Sequence, residues 1–146
     1  MRALKVIGVT VLVVGVLFGL RVLVSAVPML VVPWERVSDS DITAAFRTHK
    51  AAFERTAQSV LQSDVHQIEA ESYDNHDEDL RAIFEELQYR GVFKSSQPSR
   101  VWFVRVSLMG FQKGVVYCPA QGEPVIANAV KVVRITDGWY LYEIGM

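Results

Sequence analysis

The chain is poor in the residues that usually announce chemistry. Among 146 residues there is one cysteine, Cys118, and three histidines. A lone cysteine excludes an intramolecular disulfide and a multi-cysteine metal site. It also excludes a lipid-modified N-terminus of the bacterial type, because no cysteine follows the leading apolar stretch. Cys118 reads as a small buried hydrophobe. Neither GxGxxG nor GxxxxGK[ST] is present to cradle a phosphate. No GxSxG or cysteine–histidine signature frames a nucleophile, although Ser72, His49 and Cys118 exist. No cofactor is implied. The net charge of −1 supplies no basic excess for nucleic acid.

What is present in quantity is apolar sequence at the N-terminus. Val6 to Val32 is apolar except for Thr10, Arg21 and Ser25. As a helix it would measure roughly 40 Å, against a hydrocarbon core of about 30 Å. Arg2 and Lys5 precede it, which keeps that end in the cytoplasm and sends the remainder outward. Two readings stand. Residues 6–20 have signal-peptide length, and Val24-Ser25-Ala26 offers a cleavage point near Ala26, which would release a secreted or periplasmic domain. The apolar run continues well past that point, which favours a retained single-pass anchor touching the bilayer through 6–32. Arg21 costs about +2.5 to +3.5 kcal/mol at a helix centre, and the surrounding valines and leucines outweigh it. The expected organisation is an anchor or signal peptide over 1–33, a linker over 34–40 and an extracytoplasmic domain over 41–146. The expected location is the bacterial cytoplasmic membrane with the C-terminal domain outside.

The domain begins with cap oxygens at Ser38, Asp39, Ser40 and Asp41. Ile42, Phe46, Phe53, Ala57, Val60 and Leu61 then share one helical stripe with His49, which predicts a helix over about 41–62. Residues 65–71 read as a short strand or an extended connection. A second helix follows a cap at Asp77 or Asp79, with Leu80, Ile83, Phe84 and Leu87 on its apolar side and Gly91 as its terminator. From Val92 the period falls to two. Strands are predicted at 100–108, 115–118, 127–136 and 139–144, the last two joined by Asp137-Gly138. The expected fold is α+β, with two helices packed on an antiparallel sheet of about four strands.

An uninterrupted hairpin about Asp137-Gly138 pairs Ile135 with Tyr140, Arg134 with Leu141 and Val133 with Tyr142. One face then carries Ile135, Tyr140, Tyr142 and Ile144, and is the more apolar. It is expected against the helices. The other face carries Arg134, Trp139, Leu141 and Glu143, and is the expected partner-binding surface, because Trp and Arg are enriched where proteins bind one another.

Charge is unevenly spread. Segment 64–86 holds nine acids against Arg81, a net −8, whereas 90–134 holds seven bases against Glu123, a net +6. If the two blocks fold against each other they neutralise; otherwise the acidic block is a docking face. His66 and His76 flank carboxylates and are the weak candidates for a metal, but neither HExxH nor EF-hand spacing accompanies them.

The run FRTHKAAFERTAQSVL together with the terminal DGWYLYE resembles a loose set of small uncharacterised bacterial proteins. These carry a signal or anchor ahead of a domain ending in a tryptophan–tyrosine strand. The resemblance spans most of 41–146, implies a bacterial envelope protein and brings no site residues with it. The functional expectation is a non-enzymatic domain that binds a protein or envelope component. The alternatives are an inhibitor or immunity-type protein acting through 64–86, and a metal-dependent envelope enzyme.

Overall fold

Ser38 starts the fold. Its side chain accepts from Asp41 N at 3.1 Å while the Asp41 carboxylate accepts from Ser38 N at 3.3 Å, so two orphan donors of the first turn are satisfied reciprocally. The computed structural model describes residues 37–120 and 123–145. The proposed anchor over 6–32 lies outside them. Among the described residues no helix is long and apolar enough to cross a membrane.

The predicted helix over 41–62 is two helices, α1 (Asp39–Thr48) and α2 (Lys50–Gln62). They meet at His49, whose φ of −110° and ψ of 22° interrupt the helical run. Phe46 and Phe53 lie on either side of the break and are both fully buried. The chain then forms β1 (Gln67–Glu69), α3 (Glu78–Arg81) and a π-helical turn, Ala82–Glu86. Asp77 caps α3 by accepting from Asp79 N and Leu80 N, each at 3.0 Å. The helix ends on Gln88, with φ of 52°, and not on Gly91. Gly91 is already in a strand.

The sheet has six antiparallel strands where the sequence suggested about four: β1, β2 (Gly91–Ser96), β3 (Ser99–Leu108), β4 (Phe111–Tyr117), β5 (Ala129–Thr136) and β6 (Trp139–Ile144). Their order is β1-β2-β3-β4-β6-β5. Leaving β4, the chain runs to the far edge as β5 and returns as β6, which is inserted between them. Gly110 lies in the two-residue β3–β4 turn, but Gly114 is inside β4. A Cβ there would sit 1.9 Å from the Phe103 carbonyl oxygen. The close approach coincides with the register shift between Val104 and Val106.

Two apolar clusters sandwich the sheet. One lies under the helices and joins Phe46, Phe53, Ile83 and Tyr89 to Phe103, Val115, Trp139 and Leu141. The other lies on the opposite face and joins Val116, Cys118, Tyr140 and Tyr142 to Ile126. Ile126 and the buried Pro124 come from the β4–β5 connection, which folds over that face. Hence Trp139, Tyr140, Leu141 and Tyr142 are all buried in succession.

The face assignment from sequence is therefore reversed. Trp139 and Leu141 point at the helices, and Tyr140 and Tyr142 do not. The register explains part of this. Thr136 pairs with Trp139 as the turn requires, but the ladder then shifts, pairing Arg134 with Tyr140 and Val133 with Leu141. Ile135 is the extra residue, and it still packs under the helices.

Candidate functional site

At the end of the sheet where β4 stops and β6 begins, a cleft of about 610 Å³ opens. Tyr117 and Cys118 form one wall, Arg134 and Tyr140 another. The turn Asp137–Gly138 and the loop residues Pro119, Ala120 and Glu123 complete it. The wall is held from the backbone, because Cys118 N donates to Gly138 O at 2.7 Å. Gly138 has a φ of +73°, and a Cβ on it would lie 3.0 Å from the Tyr117 ring. A side chain there would meet strain and crowding together.

The polar groups of the cleft differ in mobility. The Arg134 guanidinium donates to the Asp137 carboxylate, and both side chains are mostly exposed. Such a pair contributes little stability and is free to exchange partners. Glu123 is exposed, while Tyr140 is buried at 5%. Tyr117 accepts from Gln58 Nε2 at 3.4 Å and stacks 4.9 Å from Trp139. The cleft thus offers two carboxylates, one guanidinium and two aromatic rings around a cavity of ligand size. Burial pushes the Cys118 thiol up, against the opposing charge of Arg100. A thiol so raised stays protonated and is a poor nucleophile.

Of the four surface residues expected from sequence, the structure brings only Arg134 to this site. Trp139 is 1% exposed and rests on Phe46 at 4.8 Å, and Leu141 is buried beside it. Glu143 lies across the ladder from Lys113 and Lys131, away from Arg134. Nothing in the sequence marks Tyr117, Glu123 or Tyr140 as site residues. Asp137 was visible only as a turn former. No local pattern marks the loop that brings Glu123 to the cleft.

A smaller apolar groove of about 220 Å³ lies on the helix-free face, lined by Phe93, Trp102, Val104, Gln112 and Ile144. His66 and His76 are both exposed. Among the described residues no three His, Cys, Asp or Glu side chains are gathered as metal ligands would be.

The two charge blocks do not pair. Lys94 Nζ donates to the carbonyls of Leu61 at 2.9 Å and Ser63 at 2.7 Å, satisfying the end of α2. Lys113 and Lys131 both bind Asp39, the former at 2.6 Å. Arg105 lies 5.6 Å over the Tyr89 ring, and Arg100 lies 6.0 Å over Trp102. Within the acidic segment, Asp79 takes a two-pronged contact from Arg55 at 2.6 and 2.7 Å, and Glu85 accepts from Tyr73 at 2.5 Å. Among the described residues no ion pair joins 64–86 to 90–134.

Comparison with protein families, with curated proteins and with solved structures returns no match.

Proposed function

We propose that the chain is a non-enzymatic binding protein of a bacterial envelope, anchored in the cytoplasmic membrane by 6–32. Its outward domain holds a protein or envelope component at the cleft around Arg134. The observation that carries this reading is the cleft itself. It has ligand-pocket volume, aromatic walls and a rim of exposed, loosely paired charges. A basic or zwitterionic group of a partner could displace Arg134 from Asp137 at the exposed rim without disturbing the core. The apolar N-terminal run and the resemblance to small bacterial envelope proteins support the location.

The test is a photocrosslinker placed at Glu123 in the full chain within native membranes. A discrete crosslinked product is expected, and Arg134→Ala should deplete it several-fold while the fold is retained. A product of undiminished yield with Arg134→Ala would dismiss the cleft.

A second reading is favoured by one observation, that among the described residues no ion pair joins 64–86 to the basic half. The acidic segment then acts as an electrostatic docking face of inhibitor or immunity type. Complex formation on that face should weaken steeply with ionic strength, whereas a flat salt response would reject it. The third reading, a metal-dependent enzyme using His66 and His76, predicts a thermal shift when divalent metal is added.

A further inference from the structure

The opposite end of the sheet from the cleft carries a different surface. The β3–β4 turn places Met109 there at 79% exposure, and Val130 of β5 is 67% exposed. The two belong to one end of the fold. Gln112 and Ala129 both pair with Ile144, and a Cβ on Gly145 would lie 3.0 Å from both the Phe111 ring and Val130. Exposed Met and Val at a sheet end lose water-exposed apolar area only if something covers them.

The start of the domain is fastened to this same end. Lys113 Nζ donates to the Val37 carbonyl at 3.1 Å and pairs with Asp39 at 2.6 Å, and Lys131 also binds Asp39. Lys113 is two positions beyond Phe111 in β4. In the sequence the apolar run ends at Val32, so five Cα steps separate it from Val37. Those steps span at most about 17 Å, at roughly 3.5 Å each.

We propose that the Met109–Val130 end of the domain rests on the outer surface of the lipid bilayer, with both side chains in the interfacial layer and the cleft directed away from it. This rests on the reading of 6–32 as a retained anchor. The choice of lipid as occupant comes from the length of the connecting chain and the point where it is fastened. Two apolar side chains do not hold a free protein on a membrane. A tether this short raises the local concentration of the surface enough for a weak contact to be occupied. Asp39 pairs with both Lys113 and Lys131 at this end, which leaves Met109 and Val130 as the groups that gain from lipid contact.

The experiment uses the full chain reconstituted in vesicles of phosphatidylethanolamine and phosphatidylglycerol. A thiol-reactive fluorophore is attached through Met109→Cys, Val130→Cys or, at the cleft end, Ser99→Cys. Cys118 is buried and reacts more slowly. Shallow nitroxide lipids should quench the labels at 109 and 130 at least roughly twofold more than the label at 99. Equal quenching at 109 and 99, in a chain that resists alkaline carbonate extraction, overturns the inference and leaves the anchor intact. Loss of the chain from the membrane on extraction instead defeats the anchor reading. A blue shift at 109 that rises with protein-to-lipid ratio and is not quenched would identify a second copy as the occupant, which also overturns the proposal.

Discussion

Replacing Trp139 discriminates between the two ways of facing the last hairpin. In the structure its indole is 1% exposed and meets Phe46 at 4.8 Å, Tyr117 at 4.9 Å, Phe103 at 5.6 Å and Phe53 at 6.1 Å. Truncating a buried tryptophan to alanine costs about 3–5 kcal/mol, from lost transfer energy and the cavity left behind. The aromatic contacts push Trp139→Ala towards the upper end of that range. A domain of this size has about 5–15 kcal/mol in all, so the variant sits near the edge of folding. At about 4 °C per kcal/mol the melting temperature should fall by about 12–20 °C. Thermal unfolding of the detergent-solubilised full chain, followed by near-ultraviolet circular dichroism, measures this. Val133→Ala is the comparison. Val133 pairs with Leu141 but is 44% exposed, and its truncation should cost no more than about 1 kcal/mol. If Trp139→Ala changes stability as little as Val133→Ala does, the indole faces solvent. The outward assignment of Trp139 and Leu141 would then be correct.

Two other perturbations test the frame of the fold. Gly114→Ala forces a methyl to within 1.9 Å of the Phe103 carbonyl, so β3 and β4 must separate. The cost should be about 2–3 kcal/mol in chemical denaturation, and a neutral effect would refute the close approach. Asp39 is held below the usual carboxylate range by its hydrogen bonds to Lys113 and Lys131. Because its folded value is depressed, its contribution is full above the unfolded value of 3.8 and is lost as pH falls through the folded one. Asp39→Asn should therefore be less stable than the parent at neutral pH, and the two should converge in acid. Parallel stability curves across that range would contradict the pairing.

What could be read from the sequence was local. The caps offered among residues 38–41 and at Asp77 or Asp79, the apolar stripe through Phe46 and Phe53 and the Asp137-Gly138 turn each depend on residues a few positions apart. Each appears where it was expected. The break at His49 was invisible because a helical stripe passes through one irregular residue almost undisturbed. Gln67–Glu69 has too few residues to announce a strand and owes its pairing to β2. The apolar run over 6–32 is likewise a property of sequence, legible through hydropathy and flanking charge alone.

Tertiary structure decided which side of β6 faces the helices, and so which residues can meet a partner. Strand parity is a sum over every residue back to the turn. One extra residue at Ile135 changes it for all that precede, and no propensity at Ile135 announces the bulge. Burial of both faces of Trp139–Tyr142 then removed the contrast on which an inside-and-outside reading depends. The cause lies in the β4–β5 connection, whose Ile126 packs on the second face and whose Glu123 reaches the cleft. Arg134, Asp137 and Tyr140 meet within the β5–β6 hairpin, but Tyr117 and Cys118 join them only because β6 is inserted between β4 and β5. That insertion is a contact between distant parts of the chain, and such contacts are selected by the packing of the whole sheet.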